Sequence, residues 1–285
     1  MDKILFQFLN GITFAGLLFM ISSGFTLLFG IMKVVNMSHG MFYIMGAYIG
    51  YTVQNLTGNW FFAIIAGSIS VGIIAFIVEK LLLFVKVKND LTLAVLTLGI
   101  AVTMNDIFLI IWGGLPQILK EPSFTKTSIK IFNLTYPGFR LFVLGLAVVI
   151  GIVMWVMMKR TQLGRILRAG TDNRKMVSAL GINIDRTFTI VFVISGLITG
   201  LSGAVGGTYI AFGPGTDFTI LTYALVVVIM GGLGSVAGSA LGAIIVGLVD
   251  SFGKTNIPQL VNFLLMGSLV IVLLIRPHGL LGRKE

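Results

Sequence analysis

The sequence predicts an all-α fold: a polytopic helical membrane protein with about eight membrane segments, broken or re-entrant helices among them, and an internal duplication. Three observations predict it. Of the 285 residues, 56% are hydrophobic and 11% charged, against roughly 25% charged in an ordinary soluble domain. Uncharged stretches run over 4–32, 61–78, 141–158, 187–216, 218–249 and 255–275, and about 18 to 20 apolar residues suffice to cross the hydrocarbon layer as a helix. These runs are apolar on every face, whereas barrel strands alternate apolar and polar over about ten residues. The whole of 1–285 reads as one transmembrane domain.

Charge sets the expected orientation. Lys33, Lys80, Lys86 and Lys88, the loop from Lys159 to Arg186, and the tail from Arg276 onward hold 14 of the 20 Lys and Arg; Lys3, Lys120, Lys126, Lys130, Arg140 and Lys254 lie opposite. The positive-inside bias makes the first side cytoplasmic, with the N-terminus outside and the C-terminus inside. The net charge of +10 is then read as loops facing the cytoplasmic leaflet and cytoplasmic partners, and no nucleic acid is expected.

In chain order, 6–30 runs inward, 38–54 returns, 61–84 runs inward and 91–113 returns. Residues 114–140 form an external loop with Pro116, Pro122 and Pro137 and a short hairpin near "SIKIFNLTY". Then 141–158 runs inward, 159–186 is a cytoplasmic loop, 187–209 comes out, 218–250 makes an excursion, and 259–275 runs inward to the tail. As one helix the excursion would span about 48 Å, so it must break or protrude, and Gly231, Gly232 and Gly234 mark the break. The two pieces, about 13 and 15 residues, would meet near or beyond the membrane centre, and backbone broken at that depth belongs beside protein or a water-filled path. A similar break is expected from Gly30 to His39. At an offset of 202, Gly30 falls on Gly232 and Gly40 on Gly242, which suggests the duplication. The first apolar run is too long for a signal-peptide core, so that segment is expected to stay.

Several chemistries find no support. There is no cysteine, and His39 and His278 stand apart, so neither a thiol nucleophile nor a metal site is expected, and no cofactor or catalytic residue. "GGLGSVAG" fits a G-x-G-x-x-[G/A] pattern, with Asp250 following. From Val226 to Asp250, however, there is too little chain for a strand, a helix and a second strand. "GLVDSFGKT" has five residues between its glycines where a phosphate-binding loop has four. The chain carries no nucleotide site of its own.

In the basic loop, Thr171 is placed to cap a helix over 172–180, with Gly181 just past its end and Met176, Val177 and Leu180 as a small apolar face. Flanked by Arg165, Arg168, Arg174, Lys175 and Arg186, it reads either as a docking element or as a solvated loop near anionic lipid. "TQLGRILRAGTDNRKMVSALGINIDR" resembles the cytoplasmic loop of permeases of branched-chain amino-acid ABC importers of the LivH type. "GIMKVVNMSHGMFYIMGAY", "MGGLGSVAGSALGAIIVG" and "RPHGLLG" are similar to three further motifs of that family, in family order; Met37 and Ser38 depart from its usual residues before the histidine.

The resemblance implies a complex in a bacterial or archaeal plasma membrane: this chain with a second related permease, two ABC ATPase subunits below, and an external binding protein delivering Leu, Ile or Val. It implies that Leu163, Gly164, Arg165, Arg168, Ala169, Arg174, Met176, Val177, Leu180 and Gly181 couple to an ATPase. Candidate path residues are Asn36, Ser38, His39, Gly40, Tyr43, Asp106, Thr208, Gly231, Gly232, Gly234 and Ser235. Asp106, beside Asn105, is either a satisfied structural carboxylate or a substrate ligand. His39 either bonds freed backbone or carries protons, and Asn36, Ser38, Thr208 and Ser235 either satisfy broken backbone or face the path. The alternatives are a urea or short-amide importer, a self-sufficient carrier or channel, and a non-transporting scaffold.

Overall fold

Without water to bond exposed peptide groups, long apolar runs close their hydrogen bonds internally as helices. The computed structural model describes residues 2–32, 36–84, 90–131, 134–172 and 174–282. Its helices are α1 (Asp2–Met32), α2 (His39–Thr57), α3 (Trp60–Phe84), α4 (Asp90–Trp112), α5 (Gly138–Arg160), α6 (Gln162–Asp172), α7 (Arg174–Ala179), α8 (Ile184–Tyr209), α9 (Thr216–Gly231), α10 (Val236–Asn256) and α11 (Val261–Ile275). Among the described residues seven helices are long and apolar enough to cross a membrane: α1, α3, α4, α5, α8, α10, and α11 with the 3-10 turn before it. The fold is that of a polytopic helical membrane protein. Of the basic residues that orient the sequence, Lys33, Lys86, Lys88, Arg283 and Lys284 lie outside the described residues, as do the side chains of Arg174 and Lys175.

The centre is α1, packed against α5, α8, α9 and α10, with Leu17, Leu18, Met20 and Ile21 fully buried. Outer helices turn apolar faces outward: Phe61, Ile65, Ile69 and Ile73 on α3, Val148, Val149 and Ile152 on α5. Such faces suit hydrocarbon and would be a liability in water. Since lipid removes any hydrophobic drive between helices, close packing must hold them together, which favours small residues where they cross. At the α2, α3 and α8 crossing, a Cβ on Gly46 would sit 2.3 Å from the Gly200 carbonyl oxygen, one on Gly67 2.6 Å from that of Gly46, and one on Gly200 2.6 Å from that of Gly67.

The expected hairpin is present as β1 (Ser128–Ile131) paired antiparallel with β2 (Leu134–Pro137), Ile129 opposite Tyr136. The 114–140 segment is tied to the end of α8, where Leu119 N donates to the Gly207 carbonyl and Gln117 pairs with Phe212.

Two local expectations are corrected. The basic loop forms two helices rather than one. Its first helix, α6, starts ten residues before the expected start at 172, because the Thr161 hydroxyl accepts from Gly164 N (3.2 Å) and Leu163 and Leu167 continue an apolar stripe. Thr171 therefore lies in the last turn of α6 and starts no helix. Gly181, with φ of +80°, does terminate α7. In the excursion α9 and α10 have 16 and 21 residues, so α10 alone, at about 31 Å, is long enough to cross.

The second break sits beside the ends of α1 and α11, away from the middle of the bundle. Gly232 and Gly234 take φ of 105° and 78°, and the Ser235 hydroxyl caps α10 by accepting from Gly238 N. Gly30 packs against Gly234, with 3.1 Å between a Cβ built on the first and Cα of the second. The tail closes the site: Leu280 N and Leu281 N donate to the Met230 and Gly231 carbonyls at the end of α9 (2.9 and 3.0 Å).

The glycine crossing makes a direct prediction. Gly46→Val should lower the thermal midpoint of the purified protein in detergent by several degrees, at a cost of about 1 to 3 kcal/mol for overpacking. Gly145→Ala, whose added Cβ meets nothing within 4 Å, should not lower it.

Candidate functional site

The site grows out of the first break. α2 begins inside the bundle: His39 Nε2 meets the Ile21 carbonyl at 2.9 Å and lies 3.5 Å from the Thr199 hydroxyl, both near mid-length of α1 and α8. The irregular backbone before it needs partners at that depth. Asn36 Oδ1 accepts from Ser38 N (2.9 Å), the Ser38 hydroxyl donates to the Thr97 carbonyl (2.7 Å), and Met37 N donates to the Thr97 hydroxyl (3.1 Å). Residues 33–35 of this break lie outside the described residues. His39 also packs its ring edge-on against Phe25, centroids 5.0 Å apart. The surroundings shown for His39 are thus a carbonyl within α1, the Thr199 hydroxyl and an aromatic ring.

Gly40 joins this turn to a second polar group. A Cβ there would lie 2.1 Å from the Asp217 carbonyl oxygen, so only glycine lets the start of α2 rest on the start of α9. The Asp217 side chain is buried, and its Oδ2 accepts from Asn105 Nδ2 of α4 at 2.9 Å. Beyond Gly40 on α2, Tyr43 lies over Gly203 and Gly206, and Tyr48 stacks on Trp112 at 4.8 Å and packs against Phe108 and Phe212.

Asn36, Ser38, His39, Gly40 and Tyr43 are therefore brought together on α2 and the turn before it. Thr208 is committed elsewhere, accepting from Trp60 Nε1 (2.9 Å) and donating to the Ala204 carbonyl. Gly231, Gly232, Gly234 and Ser235 belong to the second break and contact Gly30, Gly238 and the tail. Asp106 is exposed on α4; its neighbour Asn105 points inward, and to Asp217. That acid separates the uncharged runs 187–216 and 218–249, which was its only mark in the sequence. Thr97 was likewise unremarkable among apolar neighbours.

Buried polar groups are normally satisfied, so the exceptions are informative. Asn36 Nδ2, His39 Nδ1, Tyr48 Oη, Asn105 Oδ1 and Asp217 Oδ1 are buried and make no hydrogen bond. All five belong to α2 with its preceding turn, α4 and α9. The sixth such atom, Glu79 Oε2 on α3, stands 3.6 Å from Lys80 Nζ.

In the 159–186 loop, Gly164 is packed so tightly that a Cβ would lie 2.2 Å from the Met158 carbonyl oxygen, and Arg168 donates to that same carbonyl. Both hold α6 against the end of α5. Arg165 and Ala169 are exposed and Leu163 is half-buried. The expected apolar face is split: Val177 is buried, whereas Met176 and Leu180 are 64% and 74% exposed, because a six-residue helix can turn only one side inward.

The family model for the branched-chain amino acid transport system permease component matches residues 7–274. The high-affinity branched-chain amino acid transport system permease protein BraD of Pseudomonas aeruginosa is 27% identical, with 98% of this chain and 96% of the relative covered. LivH of Escherichia coli K12, a permease protein of the same description, is 27% identical over the same shares of the two chains. The probable branched-chain amino acid transport permease protein LivH of Methanocaldococcus jannaschii is 26% identical over 96% of this chain and 91% of its own length. No solved structure matches the chain.

The turn before α2 should depend on Thr97. Thr97→Val keeps the shape and leaves Met37 N unpaired, at a cost of about 1 kcal/mol. A lower denaturation midpoint in mild detergent is expected, whereas Thr103→Val, on the exposed side of α4, should leave it in place.

Proposed function

The chain belongs to the family of branched-chain amino acid transport permeases, and we propose that it is one of two related permease subunits lining the path of an ATP-driven importer for leucine, isoleucine and valine. The match over residues 7–274 carries this reading. Two ATPase subunits act from the cytoplasm and an external binding protein presents the substrate. The chain moves its solute and catalyses no covalent reaction. It lies in the plasma membrane of a bacterium or archaeon with its N-terminus outside and its C-terminus in the cytoplasm, as the distribution of Lys and Arg favours.

The path runs past α2 and the turn before it, where Gly40 rests on the backbone of Asp217, whose side chain is paired with Asn105. An aliphatic amino acid needs apolar walls with a few polar groups for its charged head, and the aromatic groups around Tyr48 beside the unbonded oxygens suit that requirement. Residues 159–186 form the coupling loop. Met176 and Leu180 supply exposed apolar contact, and Arg165, Arg168 and Arg174 supply positive charge for an ATPase groove. Gly164 and the Arg168 bond tie that loop to α5, so a push on α6 and α7 moves a membrane helix.

Reconstituted with its partners, the complex should take up labelled leucine when ATP is present. This chain alone, under an ion gradient, should take up none. Uptake of urea and not leucine by the complex would overturn the substrate assignment. Met176→Asp with Leu180→Asp should release the ATPases on purification while the chain stays inserted; undiminished co-purification would remove the coupling role.

A further inference from the structure

We infer that Asp217 Oδ1, Asn105 Oδ1 and Tyr48 Oη form a station for the α-ammonium group of the substrate inside the membrane path. The inference rests on the amino-acid reading given above and adds to it the atoms that hold one end of the solute.

The argument is one of unspent acceptors. Asn105 gives its Nδ2 to Asp217 Oδ2 at 2.9 Å, which fixes the amide so that its remaining polar atom is a carbonyl oxygen. Asp217 has one oxygen engaged by that amide, while the other receives no side-chain donor and has only the backbone amides of its own helix turn near it. The Tyr48 ring packs against Phe108, one turn along α4 from Asn105, and its hydroxyl makes no hydrogen bond. Nearby, the Ile21 carbonyl engages His39 Nε2 and so fixes the ring proton there, which leaves Nδ1 as an acceptor too. Of the five unbonded atoms among the described residues of this part of the bundle, three are acceptors only, Tyr48 Oη accepts or donates, and Asn36 Nδ2 donates. The surroundings therefore call for a donor-rich group. No Lys or Arg among the described residues pairs with Asp217, and the first turn of α9 favours a carboxylate there.

An ammonium group brings three N–H donors and a positive charge; the station offers three oxygens and a negative charge. A buried carboxylate left without a counter-charge in a membrane interior is expensive, so a cationic head group gains most at this point of the path. Phe108 and Phe212, which flank Tyr48, provide apolar surface beside the head group for an aliphatic side chain. Asn105 acts as a positioning residue as well as a contact, since its amide orients the carboxylate.

The test uses the assembled importer in liposomes, with leucine uptake and ATP hydrolysis measured together. Asp217→Asn should keep assembly and the dependence on loaded binding protein, and lower maximal uptake per ATP hydrolysed roughly tenfold or more, the loss expected for a charge-assisted hydrogen bond. Asp217→Glu should recover part of it. Tyr48→Phe removes a hydroxyl that bonds nothing, so the protein should assemble normally and transport more slowly. Parent-like uptake by assembled Asp217→Asn overturns the station, as does an equal fall of uptake and ATP hydrolysis. Should Asp217→Asn fail to assemble, parent-like uptake by Tyr48→Phe overturns it. A parent complex that hydrolyses ATP yet moves no leucine sinks the amino-acid reading itself; leucine uptake by the parent with unaltered variants sinks only the station.

Discussion

A peptide group in hydrocarbon has no water to bond, and this one constraint organises the molecule. Helices meet it automatically over their interiors, so the structure is decided where helices stop. At the first break, Thr97 supplies both a hydroxyl and a carbonyl to residues 37 and 38, while Asn36 holds Ser38 from within the turn. At the second, Ser235 caps α10 and two amides of the tail close α9. Each of these two breaks is thus stabilised in part by a segment distant in sequence.

Because these partners must come close, the bundle relies on glycine where other proteins use interlocking side chains. The crossing of Gly46, Gly67 and Gly200 brings three backbones into contact, and Gly40 seats α2 on α9. The second contact has a functional side: it sets the buried Asp217 beside the start of α2. Packing and path share residues here. A side chain added to Gly40 would displace the backbone of Asp217 and with it the pair formed with Asn105.

Much of this was legible in the sequence. Residues 6–30, 61–84, 91–113, 141–158, 187–209 and 259–275 reappear as α1, α3, α4, α5, α8 and α11, since uncharged length alone specifies a membrane helix. The glycines at 231–234 correctly marked a break. They belong to a turn between two helices, with Ser235 already bonded to Gly238 N, which is why their resemblance to a dinucleotide-binding turn misleads. The pairing in the interior was less legible. Asp106 drew attention as a carboxylate within an apolar run, but adjacent residues on a helix point in different directions, and it is the amide of its neighbour Asn105 that turns to Asp217, 112 residues away. Nothing local distinguishes Thr97 from other threonines in apolar helices. In the basic loop the turn at Thr161 outcompeted Thr171 as a helix start, and the choice depended on how α6 folds back on α5.

The bonds from Leu280 and Leu281 to Met230 and Gly231 also have a bearing on the order in which the chain is made. A ribosome synthesises from the N-terminus, so the end of α9 emerges about fifty residues before the two amides that close it. Until residues 280 and 281 appear, the Met230 and Gly231 carbonyls lack these two donors. Closure of that end of α9 is thereby coupled to synthesis of residues 280 and 281, and a chain cut after α11 lacks the latch.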